Sequence, residues 1–228
     1  MLLAVDTSTS QIGLCLYDGS QIAGEVVWES KQHHTVELAP ALADLMKRAG
    51  ILAAEIAAIG VAIGPGSFTA LRVGLSFVKG LALARKLPVV GVPTLDILAA
   101  GIPASKMPLV AVLQAGRGRL AVARYRASSD PAGSESAWEL ETPAELMNAD
   151  ALAESIEKPT LVAGELSATE RQRLARKKVN VQLAPPALCV RRPAFLAHLA
   201  YRQWQQGHVG DAATLAPVYL QMPQPVVP

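Results

Sequence analysis

The first hundred residues alternate between apolar patterns typical of strands and patterns typical of helices. Short apolar runs, each bounded by turn-forming residues, predict buried strands. These runs lie at residues 2–5, 12–17, 22–28, 59–63 and 89–92. Asp18-Gly19 separates the second run from the third and is a strong hairpin signal. We therefore expect an antiparallel group of three strands, followed by two strands with longer connections.

Three segments have apolar residues at helical spacing. In residues 35–49 the apolar positions recur every three or four residues, and Gly50 is the expected C-cap. Pro40 predicts that this helix starts late or bends. The other two helices are expected at residues 67–86 and 94–100, with Ser67 and Thr94 as candidate N-caps.

The resulting order is three strands, helix, strand, helix, strand, helix. It is the order of a ribonuclease-H-like fold, the α/β architecture of the actin, sugar kinase and heat-shock ATPase superfamily. Beyond residue 100 the pattern weakens, and it predicts the following elements: strands at 109–113, 120–126, 136–140 and 160–163, a loop at 130–133, a helix at 194–206 and a proline-rich tail at 221–228. We expect two lobes, an N-terminal lobe at 1–103 and a smaller, degenerate C-terminal lobe at 104–228. The last segment of the second lobe is expected to pack back on the first.

Composition narrows the class of protein. Of the 228 residues, 51% are hydrophobic and 18% are charged, as in globular chains. A net charge of +2 argues against tight nucleic-acid binding by this chain alone. Cys15 and Cys189 have no metal-ligand spacing and fit a reducing compartment. Because neither a leader segment nor a long apolar run is visible, we expect a cytoplasmic location.

Two turns are candidates for chemistry. The turn after the first strand combines a carboxylate with hydroxyls, and the turn before residue 68 combines glycines with a helix N-terminus, which attracts anions. No Gly-Lys-Ser or Gly-Lys-Thr of a Walker motif follows. The candidate nucleotide or phosphate site consists of Asp6, Thr7, Ser8, Gly64, Gly66 and Ser67. The alternative is that both are ordinary tight turns whose polar groups bond their own backbone.

The helix at 67–86 has an unusually narrow polar face. Its polar stripe consists of Thr69, Arg72, Ser76 and Lys79, and nearly everything else before residue 84 is apolar or glycine. A half-exposed helix normally has a wider polar face. Gly74 and Gly80 each lower helix stability by about 1 kcal/mol relative to alanine, which the close approach of another backbone would offset. Either the helix is central within its own domain, or its second face packs against a partner subunit.

Four segments resemble one family. They are the opening Leu2-Leu-Ala-Val-Asp-Thr-Ser-Thr9, the run Gly64-Pro-Gly-Ser-Phe-Thr-Ala-Leu-Arg-Val-Gly74, Lys79-Gly-Leu-Ala82 and Gly91-Val-Pro-Thr-Leu-Asp96. Their order and spacing are similar to those of the TsaB (YeaZ) family of tRNA threonylcarbamoyladenosine biosynthesis proteins. The resemblance covers roughly residues 1–100, and the tail Pro217-Val-Tyr-Leu220 is also similar.

The resemblance implies a non-catalytic subunit without a metal or a cofactor of its own. Such a subunit heterodimerises with the catalytic paralogue TsaD and acts with the ATPase TsaE. It supports threonylcarbamoyl transfer to the anticodon-loop adenosine of tRNAs that read codons starting with adenine. The resemblance also implies that tRNA is contacted only through the complex and that the membrane is not contacted. It leaves open whether the chain forms a homodimer and whether the complex binds ATP or ADP. The implied partner interface consists of Leu42, Leu45, Met46, Phe68, Ala70, Leu71, Gly74, Leu75, Phe77, Val78 and Leu81.

The sequence departs from the catalytic paralogue at its metal site. The two metal-binding histidines of the paralogue correspond to Thr94 and Leu98, neither of which is an imidazole. The chain's own histidines are His33, His34, His198 and His208, and no pair of them has i, i+4 spacing. The family commonly has Asp-Ala-Arg where this chain has Gln114-Ala115-Gly116-Arg117, so a role of that carboxylate cannot be carried over from the resemblance.

Other functions stay open on the sequence alone. A sugar-kinase-like enzyme or ATPase would use Asp6 and the turn at 64–67, but it needs a second phosphate loop and an adenosine pocket that the second half does not display. A metallopeptidase is disfavoured by the absence of HExxH. Arginines at 117–126 and basic residues at 171–178 could contact tRNA, but near-neutral charge favours solvated faces. A self-pairing scaffold is compatible with the subunit role.

Overall fold

The computed structural model describes residues 1–31, 33–116, 118–129, 137–177 and 179–220. The first lobe contains a five-stranded sheet in the order β3-β2-β1-β4-β5. Its strands are β1 (Leu2–Asp6), β2 (Gln11–Tyr17), β3 (Ile22–Glu29), β4 (Ala58–Ala62) and β5 (Val89–Val92). The first three strands pair antiparallel, whereas β4 pairs parallel with β1 and with β5. All five lie within a residue of the predicted runs.

Two long helices, α1 (His34–Ala49) and α2 (Phe68–Arg85), pack together on one face of this sheet. The buried side chains of α1 are Leu38, Leu42 and Leu45, at the helical spacing expected from the sequence. Gly50 ends the helix with φ 68°, the left-handed conformation that favours glycine at a C-cap. The helix begins at His34, so Pro40 lies inside it and not at its start.

The second lobe repeats the strand order of the first. Its strands are β6 (Leu109–Gln114), β7 (Leu120–Ala127), β8 (Trp138–Met147), β9 (Thr160–Gly164) and β10 (Val181–Leu183), arranged β10-β9-β6-β7-β8. Again the first three strands pair antiparallel and the last two continue parallel. This repetition is the two-lobed ribonuclease-H-like architecture predicted for the chain.

The second lobe contains elements that the sequence pattern did not predict. Strand β8 extends to Met147, well beyond the predicted end at residue 140, and the helices α4 (Ala149–Ser155) and α5 (Ala168–Ala175) and strand β10 were not expected. These elements are short or largely exposed, so they carry little apolar periodicity. The predicted loop at 130–133, the start of the predicted strand at 136 and the tail at 221–228 lie outside the described residues.

Helix α6 (Pro193–Gln205) returns to the first lobe and covers the second face of its sheet. Its buried residues Leu196, Ala197 and Ala200 pack with strands β1, β4 and β5. Helix α3 (Thr94–Ala100) contacts both α6 and β6 and so lies between the lobes. Among the described residues, none of the helices combines the length and the apolar character needed to cross a bilayer.

Residues 208–220, which we call the C-terminal strap, run back across the first lobe after α6. The Gly210 N–H donates to the Val89 carbonyl at 2.8 Å, and the Val218 N–H donates to the Ile63 carbonyl at 2.7 Å. Leu215 packs against the core of the first lobe. The strap therefore borders both strand β5 and the turn that precedes α2.

Candidate functional site

The turn after β1 lies buried where the two lobes meet. Asp6, Thr7 and Ser8 are exposed by only 1%, 2% and 0%. The Thr7 hydroxyl donates to the Ala70 carbonyl at 2.8 Å, and the Ser8 hydroxyl lies 2.8 Å from that of Thr94. The Ser8 N–H donates to the Asp6 carboxylate at 2.8 Å. The polar groups of this turn are therefore bonded within the chain and do not form an open cradle.

A buried arginine neutralises the Asp6 carboxylate. Arg191 is 1% exposed, and its Nε donates to Asp6 Oδ2 at 2.9 Å. Its Nη2 donates to Thr9 Oγ1 at 2.9 Å and its Nη1 pairs with Glu165. We call these four residues the Arg191 cluster. Burial opposes the charge of Arg191, but the Asp6 and Glu165 carboxylates outweigh burial and raise its pKa.

The Arg191 cluster connects the lobes. Asp6 ends β1 and Thr9 follows it in the first lobe, whereas Glu165 follows β9 in the second. Thr9 also donates to Glu165 at 2.7 Å, so a hydroxyl and a guanidinium both bridge the junction. Arg191 was not predicted as a site residue, because no local pattern relates it to Asp6, which is 185 positions earlier.

A cavity of about 440 Å³ adjoins this cluster. Its described lining is Ser10, Gln11, Glu29, Gln114, Glu165, Leu166, Ser167 and Glu170, which includes three carboxylates and no lysine or arginine. Carboxylates lining a cleft repel the negative charge of a phosphate. Although it lies between the lobes, this cavity is therefore poorly suited to a nucleotide.

The glycines of the turn before α2 accommodate the chain's own backbone. Gly64 has φ 111°, and a Cβ there would lie 2.5 Å from the Val218 carbonyl oxygen. A Cβ at Gly66 would collide with the backbone of Ser8. Ser67 occupies the N-cap position, but its side chain makes no capping bond, and its N–H donates to the Ser8 carbonyl at 2.7 Å. The predicted capping role of Ser67 is wrong. The turn is instead fixed by the hydrogen bond from the Ser67 backbone to the backbone of Ser8, which follows β1.

Thr94 is also not an N-cap. Helix α3 has Pro93 at that position, and the Thr94 hydroxyl accepts a hydrogen bond from the Gly64 N–H at 3.1 Å. Leu98, the other position of the paralogue's metal ligands, is buried in the core. In the described part of the chain, no group of three histidine, cysteine or acidic residues could hold a metal ion.

A second cavity between the lobes, about 560 Å³ in volume, is lined by a positively charged side chain. It lies between the turn at 65–67, residues 114–116 and the strap residue Tyr219. Among the described residues that line this cavity, Arg119 carries a charge and none is a carboxylate. The Nε of Arg119 is buried without a hydrogen-bond partner within the described residues. An anion bound between the lobes would find this cavity more favourable than the acidic one.

The outer surface of α1 and α2 forms an apolar groove of about 530 Å³, which we call the α1–α2 groove. Its lining residues are His34, Thr35, Leu38, Phe68, Thr69, Arg72, Val73, Ser76 and Phe77. Phe68 is 53% exposed, and the Arg72 guanidinium lies 3.9 Å above its ring centroid. Exposed apolar side chains that lie together on a surface make this groove a candidate interaction site.

The groove differs from the interface predicted from the sequence. Seven of the predicted residues are buried inside the first lobe and cannot contact a partner: Leu42, Leu45, Ala70, Leu71, Gly74, Leu75 and Val78. Four of them, Leu42, Leu45, Leu75 and Val78, pack in the core between these helices and the sheet. Phe68 is exposed, and Met46, Phe77 and Leu81 are partly exposed, so these four are accessible. The surface also includes Thr69, Arg72, Val73 and Ser76, which are exposed or partly exposed.

The two glycines of α2 have different environments. A Cβ at Gly74 would collide with the side chain of Thr7, so this glycine lets the helix approach the β1 turn. Gly80 is exposed, and a Cβ there would have nothing within 4 Å. Among the described residues, the close approach predicted from the sequence therefore exists at Gly74 and not at Gly80.

Several basic residues of the second lobe form ion pairs or hydrogen bonds with neighbouring side chains. Arg126 pairs with Glu139 at 2.9 Å and Arg173 with Asp150 at 2.9 Å. Arg124 donates to Ser155 at 2.8 Å. These contacts fit the solvated-face interpretation at these three positions, whereas Arg119 faces the cavity between the lobes. Arg117 and Lys178 lie outside the described residues.

Comparison with curated proteins finds relatives in tRNA modification. Over 100 residues the chain is 33% identical to tRNA threonylcarbamoyladenosine biosynthesis protein TsaB of Escherichia coli (strain K12), covering 44% of this chain and 43% of the relative. It is also 33% identical over 99 residues to TsaB of Bacillus subtilis (strain 168), covering 43% of each. The matched segment thus spans less than half the length of these relatives.

Solved structures show the same fold over nearly the whole chain. A Pseudomonas aeruginosa protein described as similar to peptidase YEAZ superposes with a TM-score of 0.77 at 24% identity, covering 96% of this chain and 99% of that one. YeaZ from Pseudomonas aeruginosa gives 0.76 at the same identity and coverage. The family model "TsaD: tRNA N6-adenosine threonylcarbamoyltransferase" matches residues 21–177, well over half of the chain. The chain therefore belongs to the TsaB/TsaD family, within which it is similar to the TsaB (YeaZ) proteins.

Proposed function

We propose that this chain is a non-catalytic subunit in the biosynthesis of tRNA threonylcarbamoyladenosine. It heterodimerises with a catalytic TsaD paralogue through the α1–α2 groove, and the TsaE ATPase acts on that complex. The complex transfers threonylcarbamoyl to the anticodon-loop adenosine of tRNAs that read codons starting with adenine. The relatives' names and the family model support the pathway, whereas the chain's own geometry supports the division of roles.

The observation that carries the proposal is the exposed apolar groove on α1 and α2. An exposed apolar groove beside partly exposed aromatic residues is typical of a surface that a partner covers. Gly80 adds to this argument because a glycine within a helix lowers its stability by about 1 kcal/mol, and no described residue would lie within 4 Å of a Cβ at this position. A partner helix that packs closely at Gly80 would offset this loss.

The Arg191 cluster supports the non-catalytic role. A carboxylate that serves a nucleotide or a metal must be free to bind it, but the Asp6 carboxylate is buried and paired with Arg191. The hydroxyls of Thr7 and Ser8 are bonded within the chain as well. A sugar-kinase-like activity at this turn would first require the breaking of a buried ion pair.

The test combines binding with activity. The purified chain is mixed with TsaD of its own organism, and complex formation is followed on a sizing column. The same samples are assayed for threonylcarbamoyl transfer to tRNA. The test variant is Ser76→Arg, because Ser76 is exposed in the groove, whereas the neighbouring Leu75 is buried. The control is Ala151→Arg, at an exposed position of α4 away from the groove.

We expect the unmodified chain and Ala151→Arg to form the complex and support transfer, and Ser76→Arg to lose both while it stays folded. The chain alone is expected to show no transfer. If the unmodified chain does not bind TsaD, or if it hydrolyses ATP steadily by itself, the subunit proposal is wrong. A concentration series of the chain alone measures homodimerisation through the same groove.

A further inference from the structure

The C-terminal strap contacts the exposed end of α2 through three mutually touching side chains. The ring of Tyr219 lies 5.0 Å from that of Phe68, with 30° between the ring planes. The Arg72 Nε donates to the Tyr219 hydroxyl at 3.1 Å, and the Arg72 guanidinium lies over the Phe68 ring. Phe68 and Arg72 both line the α1–α2 groove, but Tyr219 does not.

The backbone of the strap is fixed on both sides of this contact. One residue before Tyr219, the Val218 N–H bonds to the Ile63 carbonyl, and the Val218 carbonyl lies where only a glycine at position 64 leaves room. Further back, Lys79 Nζ donates to the Ala213 carbonyl at 3.1 Å. Leu220 packs against the core of the second lobe. Tyr219 is thus held by the first lobe on one side and by the second lobe on the other.

Tyr219 restricts two side chains that would otherwise be free in solvent. Phe68 and Arg72 are exposed, and exposed side chains sample several rotamers that binding must then select. Aromatic and arginine side chains also supply much of the binding energy in protein interfaces. A contact that fixes them before the partner arrives lowers the entropy lost on binding.

We propose that the C-terminal strap is part of the docking surface, with Tyr219 as a positioning residue that holds Arg72 and Phe68 in the arrangement that the partner meets. This inference rests on the proposed function, since the partner is the catalytic TsaD subunit. It adds a segment far from α1 and α2 in the sequence, and it assigns the Tyr219 hydroxyl a role in affinity. Tyr219 acts through Arg72 and need not touch the partner.

The test is a double-mutant cycle measured as the dissociation constant for purified TsaD. Tyr219→Phe keeps the ring contact with Phe68 and removes the hydrogen bond to Arg72. Loss of one such bond is expected to weaken binding by about three- to tenfold. In an Arg72→Ala background, Tyr219→Phe is expected to change binding by less than about twofold, because the group that it positions is absent.

Tyr17→Phe is the matched control. It also removes one tyrosine hydroxyl hydrogen bond, to the Gly19 carbonyl at 2.8 Å, but on the side of the sheet that α6 covers. This variant should bind TsaD as the unmodified chain does. Thermal unfolding of each variant shows whether a loss of affinity reflects a loss of folded protein.

The outcomes separate the two proposals. If the unmodified chain binds TsaD and Tyr219→Phe binds equally well, the positioning role is wrong and the subunit role stands. If the effects of Tyr219→Phe and Arg72→Ala simply add, Tyr219 does not act through Arg72, and the inference is again overturned. If the unmodified chain does not bind at all, both proposals fail together.

Discussion

At the junction between the lobes, charged side chains are buried and paired, whereas at the α1–α2 groove apolar side chains are left in solvent. Asp6 and Arg191 are each 1% exposed and bonded to each other, but Phe68 on the groove is 53% exposed. Both arrangements reverse the usual distribution of polar and apolar residues. At the junction the chain itself supplies the contacts that compensate for burying charge. At the groove the described residues leave the apolar side chains exposed.

This difference distinguishes a region whose contacts stabilise the chain from a region that is a candidate for binding a partner. At the junction, Arg191 supplies the charge that a bound cation would otherwise bring to Asp6, so the lobes are joined without a ligand. At the groove, the part of the chain that the structure describes leaves Gly80 and much of Phe68 uncovered. The polar groups of the β1 turn thus find their partners within the chain, whereas the α1–α2 groove presents side chains that a partner could still cover.

The largest expected effect comes from breaking the junction. Arg191→Met leaves the buried Asp6 carboxylate and the partly buried Glu165 carboxylate without a cationic partner, and it should lower the free energy of unfolding by about 3–5 kcal/mol. The neighbouring Arg192 is the matched control, because its side chain is 55% exposed in its pair with Glu25. Arg192→Met should cost about 1 kcal/mol or less. Chemical denaturation of both variants gives the comparison.

A triple variant sharpens this prediction. Asp6→Asn and Glu165→Gln combined with Arg191→Met remove the charges together, and most of the lost stability should return, because uncompensated buried charge causes the loss. If Arg191→Met unfolds no more easily than Arg192→Met, the cluster does not hold the lobes together.

The two glycines of α2 provide a prediction of intermediate size. Gly80→Ala should raise the stability of the chain by up to about 1 kcal/mol, since its Cβ meets open space. The same methyl group should weaken TsaD binding by about fivefold or more, because it overpacks a close helix contact. Gly74→Ala should instead lower stability, since its Cβ would strike Thr7. Denaturation and binding are measured for both variants, and a Gly80→Ala chain with unchanged affinity would place the partner elsewhere.

The addition of a nucleotide should have the least effect on the stability of the chain. Magnesium and ATP at about 1 mM should leave the melting temperature of the isolated chain unchanged, whereas a ligand present at 100 times its dissociation constant would add about 2.7 kcal/mol of stability. If the melting temperature rises, Arg119→Ala tests whether the nucleotide occupies the cavity beside that residue. A rise that survives this substitution would point to the β1 turn and against the internal role of the Arg191 cluster.

Local patterns were sufficient to predict the first lobe. Its strands are short apolar runs between turns, and Gly50 marks the end of α1 through its left-handed conformation. Helix α5 carried a readable signal that was missed, since Ser167 and Glu170 form a capping box at its start. The extension of β8 could not be read, because most of its side chains after Trp138 are exposed or only partly buried.

The candidate site was harder to predict, because the role of each of its residues depends on contacts between segments that are distant in the sequence. Asp6, Gly64 and Ser67 were identified as unusual, but their partners are Arg191, Val218 and Ser8, and no spacing in the sequence relates most of these pairs. The apolar spacing of α2 likewise did not show which side faces the sheet, so Leu71 and Leu75 were assigned to the interface although they are buried.

The placement of α6 has a consequence for synthesis on the ribosome. One face of the first sheet is covered by residues 193–205, which are made about a hundred residues after strand β5. At 5–20 residues per second, that interval lasts on the order of ten seconds. During it, side chains such as Leu2 and Val90 lack their final cover and are open to chaperones or to other nascent chains. The sheet of the first lobe is therefore covered on both faces only after residues 193–205 have emerged.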